Sequence, residues 1–170
     1  PALCAAVAAP IVMVTARARR PEGYRYYGLI EKYPATKFAK VVDNMHVAEK
    51  LSQLLAEKQL TLDVYIDLTT GMTRTGITAD HATQLFEAMH LLPALKVVGL
   101  HGYDGHIRDT NVDLRKQHVE KAFSKVLILA AAIEAVSNQP ATIIAGGSPT
   151  FPIYADRNEV ECRPATFVFW

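Results

Sequence analysis

The sequence predicts an α/β fold in which parallel strands alternate with helices, as in a (β/α) barrel or a doubly wound sheet. Two observations predict it. From Lys37 onward, short β-branched or aromatic runs alternate with longer segments of helical periodicity. The unusual polar residues gather where strands end and helices begin, which is where such folds keep their chemistry. The 170 residues suit one domain or a large piece of a bigger one.

The elements follow in order. Phe38–Val42 reads as a strand, and Asp43 or Asn44 can cap the helix after it. That helix carries Val47, Ala48, Leu51, Leu54 and Leu55 on one face, with Glu49, Lys50, Glu57 and Lys58 on the other. A second strand spans 60–68. Thr78 or Asp80 can cap a helix bearing Leu85, Phe86 and Met89, with Pro93 beyond its end. A third strand is read at 96–100, followed by a long loop and a helix over about 113–136, with Val119, Phe123, Val126, Leu127 and Ala130 inward. A fourth strand spans 141–145, and Phe167-Val168-Phe169 lies in or near a fifth.

Composition excludes some classes of function. The formal net charge is +1 and there is no long basic run, so a nucleic-acid surface is not expected. The apolar stretch 2–14 is too short to span a bilayer, and its arginines follow it rather than precede it. Neither a membrane segment nor a signal peptide is expected, and the expected location is cytoplasmic. Cys4 and Cys162 fit no metal-ligand spacing and read as reduced thiols.

Four segments carry candidate chemistry. In Asp67–Gly76, Arg74 is fixed in a glycine-containing loop after a strand, where it can meet a carboxylate, a phenolate or a phosphate, or form a structural ion pair. Gly99–Asp109 packs His101, Tyr103, Asp104, His106 and Arg108 just past a strand; it can be a hydrogen-bonded polar loop or, with no firm ligand spacing, a metal site. Gly146-Gly147-Ser148-Pro149-Thr150 exposes successive backbone N–H groups and two hydroxyls, which suits a phosphate or a plain turn. No P-loop lysine follows it. Glu161-Cys162-Arg163-Pro164-Ala165-Thr166 lies just ahead of the last strand.

In this order, the four segments resemble the alanine-racemase-like barrel family that binds pyridoxal phosphate (PLP), and within it the branch of D-threonine aldolase and D-serine dehydratase. Asp67–Gly76 resembles a motif ending in Asn-Arg-x-Gly, and His101–His106 resembles a Gly-Tyr-x-Gly-His segment. Gly146–Thr150 resembles the family's phosphate loop, and Glu161–Thr166 its Arg-Pro-Gly-Thr turn. The resemblance covers residues 29–170, with 1–28 unmatched. It implies a partial TIM-type (β/α) barrel. It implies that Gly147, Ser148 and Thr150 hold the cofactor phosphate, with Arg163 near the pyridine or phosphate. Tyr103 and Arg74 would stand near the ring and steer the substrate carboxylate, and His106 would be a supporting donor. The activity implied is that of a PLP-dependent lyase, cleaving a β-hydroxy D-amino acid to glycine and an aldehyde. The alternatives are a racemase or D-serine dehydratase of the same family, or a barrel that binds PLP without turnover. The partner expected is a small D-amino acid, and a homodimer stays open.

The sequence departs from the family at named places. Thr73 stands where Asn is usual and Ala165 where Gly is usual. The segment bearing the family's cofactor-linked lysine has no counterpart, and Lys37 and Lys40 lie downstream of it. The C-terminal domain with divalent-metal ligands is expected outside this chain. The chain alone is therefore expected to be inactive.

Overall fold

A computed structural model describes Met13–Thr15, Gly28 and residues 30–162. The described residues form six parallel strands: β1 (Met13–Thr15), β2 (Phe38–Val42), β3 (Leu62–Thr69), β4 (Leu95–Tyr103), β5 (Thr142–Ala145) and β6 (Val160–Cys162). Between them lie α1 (Met45–Glu57), α2 (Ala79–His90), α3 (Val112–Ser137) and the short α4 (Phe151–Tyr154). Each strand adds beside its predecessor, so the crossovers wind in one sense and the helices cover one face. This is the α/β fold expected, an open part of a barrel. Four of its strands, β2 to β5, are those expected from the sequence; β1, which pairs with Phe38–Lys40, and β6 add to them.

Strand alternation divides the core. Phe38, Val42, Leu62, Val64, Ile66, Leu68, Leu100 and Ile143 pack under the helices, while Ala39, Tyr65 and Ile144 cluster on the other face. Lys40, buried among the strand residues, alternates with Phe38 and Val42 on the helix-facing side of β2. On α1, Ala48, Leu51 and Leu55 are buried as the periodicity predicts. On α3 the buried stripe is Val119, Phe123, Val126, Leu129, Ala130 and Ile133; Leu127, expected inward, is 39% exposed. Helical spacing at i, i+3, i+4 and i+7 selects Leu129 and Ile133 in its place.

Several boundaries also move. Asn44, not Asp43, caps α1, its side chain accepting the Val47 N–H at 3.0 Å. Thr78 is the N-cap residue of α2, with its hydroxyl directed to His81 Nδ1 at 2.8 Å. β4 runs on through His101, Gly102 and Tyr103, read from sequence as loop, because β3 offers Asp67, Leu68 and Thr69 as partners. Glu161 and Cys162 lie within β6, which pairs with β5. Cys162 is a free, half-buried thiol whose pKa burial pushes up. Cys4, Arg163, Ala165, Thr166 and the expected strand at Phe167–Phe169 lie outside the described residues. No described helix is long and apolar enough to cross a membrane.

Candidate functional site

Parallel strands bring all their C-terminal ends to one rim, and the candidate loops leave from it. The loop after β3 is shaped by its backbone. Gly71 and Gly76 have φ of 128° and 92°, and Thr73 has φ of 51°. A Cβ on Gly76 would lie 2.6 Å from the Leu68 carbonyl carbon, so glycine is required where the loop folds back on β3. Ile77 then exchanges backbone hydrogen bonds with β3: its N–H donates to Asp67 O at 2.8 Å, and its carbonyl accepts the Thr69 N–H at 2.9 Å. Asp43, at the end of β2, accepts the Gly76 N–H at 3.2 Å. Sequence reasoning saw Asp43 only as a cap; its acceptor role depends on a partner 33 residues away.

That loop presents Arg74, whose guanidinium lies 5.7 Å from the centre of the Tyr103 ring. Thr70 donates its hydroxyl to the Tyr103 carbonyl at 2.9 Å, tying the loop to the end of β4. The Tyr103 phenol lies over Gly105, where an added Cβ would stand 2.2 Å from the phenol oxygen. Gly105 in turn touches Gly147, where a Cβ would stand 2.9 Å from Gly105 Cα. Arg74, Tyr103, Gly105 and Gly147 thus form one contact chain along the rim. Below Tyr103 on the same strand face, His101 Nδ1 meets Asp67 Oδ1 at 2.7 Å, a pair that buries both groups beside the candidate site.

The Gly146–Thr150 turn is wound tightly. The Thr150 and Phe151 amides both donate to Gly147 O, at 3.0 and 2.9 Å. The Thr150 hydroxyl accepts the Gly147 N–H at 2.8 Å and lies 2.5 Å from Asp104 Oδ1. Asp104 is fully buried and also accepts the Tyr154 hydroxyl at 2.9 Å. Burial raises the Asp104 pKa, opposed by the hydrogen bonds from Thr150 and Tyr154. Burial first, then the charge of Asp104, pushes the Tyr154 phenol far up. From the start of α3, Arg115 Nη1 donates to Pro149 O at 3.0 Å, while its Nε is buried with no hydrogen-bond partner.

His106 stands apart from Arg74 and Tyr103. It lines a cleft of about 740 Å³ with Thr69, Gly71, Arg108, His118 and Lys125, and its ring packs on Gly71, whose added Cβ would lie 2.6 Å from Nε2. Arg74 and Tyr103 do not line that cleft, so this hollow and the Arg74–Tyr103 contact are neighbours, not one place. Of the residues named from sequence, the structure gathers Arg74, Tyr103, Gly147 and Ser148 at one rim. Among the described residues, no group of three or more His, Cys, Asp or Glu side chains can hold a metal ion.

The residues present fit the phosphate and ring of PLP. Bare backbone is enforced at Gly105 and Gly147, a cation faces an aromatic ring beside them, and a buried guanidinium nitrogen behind the turn is left unpaired. No curated protein matches the chain. Solved structures do. D-threonine aldolase from Filomicrobium marinum is 21% identical over 87% of this chain and 41% of that one, with a TM-score of 0.74. D-threo-3-hydroxyaspartate dehydratase from Delftia sp. HT23 is 21% identical over 92% and 42%, with a TM-score of 0.76. Alanine racemase from Clostridium difficile 630 is 13% identical over 92% and 38%, with a TM-score of 0.69. At these identities the likeness is one of fold, and the chain spans 38% to 42% of the length of those proteins. The family described as alanine racemase, N-terminal domain, matches residues 24–166. With the parallel sheet and the rim that carries Arg74, Tyr103 and Gly147, this match establishes that the chain belongs to the alanine racemase N-terminal domain family of PLP-dependent enzymes.

Proposed function

We propose that this chain supplies ring-facing and phosphate-facing residues of a PLP-dependent lyase acting on D-amino acids, of the D-threonine aldolase type. The observation that carries the reading is the contact chain from Arg74 through Tyr103 and Gly105 to Gly147. It supports one elongated ligand with an anionic end at the turn and a flat ring beside the phenol. When bound, PLP acts as an electron sink for bonds at the carbon that carries the amine.

In this reading each residue has a definite task. Ser148 presents a hydroxyl to the phosphate, while Gly147, its N–H held by Thr150 and its bare backbone packed on Gly105, keeps the turn in shape together with Thr150. By the family resemblance, Arg163 adds a cation there. Arg74 binds and orients the substrate carboxylate, for which its planar fork is suited. Tyr103 limits the ring's movement and can hold a proton at its hydroxyl. His106 packs on Gly71 and so supports the loop that carries Arg74. A divalent metal belongs to the complete protein, bound by residues outside this chain. The partner is a small D-amino acid rather than nucleic acid or membrane, and the protein works in the cytoplasm.

The test is PLP binding by the complete protein, followed by D-threonine with a divalent cation. Glycine and acetaldehyde are the expected products. Arg74→Ala lowers kcat/KM by about a hundredfold, the usual loss of one preorganised charged donor. Ammonia and a keto acid from D-serine would make the protein a dehydratase. Exchange at the α-carbon with inversion would make it a racemase, and binding without turnover a carrier. Absence of PLP binding would overturn the reading.

A further inference from the structure

A buried carboxylate that none of those tasks uses stands between the ring-facing and phosphate-facing parts of the rim. Asp104 follows Tyr103 and precedes Gly105, and none of its surface is exposed. Its Oδ1 accepts the Thr150 hydroxyl at 2.5 Å and its Oδ2 accepts the Tyr154 hydroxyl at 2.9 Å. Thr150 is the N-cap residue of α4, where the tight turn ends, and Tyr154 is the last residue of α4. Tyr154 is itself wedged edge-on against Phe123 of α3, ring centres 5.3 Å apart. The Thr150 oxygen accepts the Gly147 N–H at 2.8 Å, so one carboxylate fixes the turn at Gly147, Thr150 and Tyr154 together.

The proton count decides what Thr150 can do. A threonine hydroxyl has one proton. A charged acceptor makes the stronger hydrogen bond, so the carboxylate at 2.5 Å holds that proton in preference to the Gly147 carbonyl at 3.2 Å. The hydroxyl then has no proton to offer a phosphate oxygen. Its value lies in holding Gly147 against Gly105, where bare backbone meets bare backbone.

We propose that Asp104 is a positioning residue: by accepting the Thr150 and Tyr154 protons it holds the Gly146–Thr150 turn against Gly105 in the shape that receives a phosphate monoester. This rests on the reading above in taking PLP as that monoester. Asp104 does not touch the phosphate. It acts through Thr150 on one side and through the chain continuity of Tyr103 and Gly105 on the other.

The experiment is calorimetric binding of PLP, pyridoxal and inorganic phosphate to the complete protein and to Asp104→Asn, Tyr154→Phe, Thr150→Ser and Thr150→Val. In Asp104→Asn an amide –NH₂ faces a hydroxyl donor, and PLP binding should weaken about tenfold, the effect of losing one charged hydrogen bond. Pyridoxal affinity should hold, since only the phosphate end is disturbed. A general loss of folding would lower both together. Tyr154→Phe, buried and distant from the phosphate, removes one of the carboxylate's two donors and leaves the Thr150 bond in place, and should weaken PLP by about threefold. Thr150→Ser should keep the affinity and Thr150→Val should lose it. Should Asp104→Asn fail to fold, the Tyr154→Phe and Thr150 pairs decide. If Thr150→Val weakens PLP while Asp104→Asn and Tyr154→Phe leave it unchanged, Thr150 touches the phosphate itself and the proposal is overturned. If inorganic phosphate binds with the same Asp104 dependence but PLP does not, the positioning role stands and the PLP reading falls. If no phosphate compound binds, both fall.

Discussion

The loop after β3 and the turn after β5 leave the same rim, yet they hold their shapes by different means. The first is set by its own backbone: two glycines and a threonine at positive φ, a return onto β3, and one acceptor from Asp43. The second is set by a side chain from another strand end, with Asp104 reaching Thr150 and Tyr154 across 46 and 50 residues. A backbone-shaped loop is robust to changes around it and fragile at its own glycines. A turn shaped by a buried carboxylate is fragile at that one group, because the partners left behind are buried donors with no water to turn to.

The largest expected effect is at the carboxylate. Asp104→Ala strands two buried hydroxyls and opens a small void, and should lower the unfolding free energy by about 3–5 kcal/mol. Urea unfolding followed by circular dichroism measures it, and a loss near zero would remove the contrast between the two loops. The same group gives a pH arm. Because the folded-state pKa of Asp104 is raised, its proton is bound more tightly in the folded chain. The margin of wild type over Asp104→Asn should therefore be widest below the ordinary carboxylate pKa, about 4, and should narrow as pH rises through the raised value.

Next comes the backbone loop. Gly76→Ala meets both a φ of 92° and a Cβ position 2.6 Å from the β3 backbone. It should destabilise by about 2–3 kcal/mol, and amide exchange should show protection lost around Thr69 and Ile77 before the core. Equal protection in variant and wild type would show that the loop is not held as its hydrogen bonds imply.

The smallest effect carries the opposite sign. Thr73 is β-branched and sits at φ of 51°, in the left-handed region. Asparagine tolerates that region, which gives a physical reason for its usual place in the family motif. Thr73→Asn should raise stability by about 0.5–1 kcal/mol, read as a small rise in Tm. A fall would place the strain elsewhere.

The contrast also explains what the sequence made legible. Gly71, Gly76 and Arg74 were readable because a backbone-shaped loop writes its requirements locally. Strands β2 to β5 and the buried faces of α1 and α2 were readable from periodicity for the same reason. The end of β4 was not. His101 and Tyr103 look like loop residues, and only the pairing of Asp67 with His101 and Thr69 with Tyr103 keeps them in the sheet. Asp104 was seen as one polar residue among several, since nothing near it in the chain names Thr150 or Tyr154. Helix α4, at four residues, is too short to show a period.

The order of the strands has a consequence for time. Each strand pairs with the one before it, so the sheet can grow one βα unit after another from contacts of modest separation. The carboxylate clasp cannot close that way: it needs β4, the whole 26-residue α3 and β5 already docked. The turn at Gly147 is therefore among the last parts of the rim to take shape, and a chain leaving the ribosome stays unable to grip a phosphate until after its sheet is largely built.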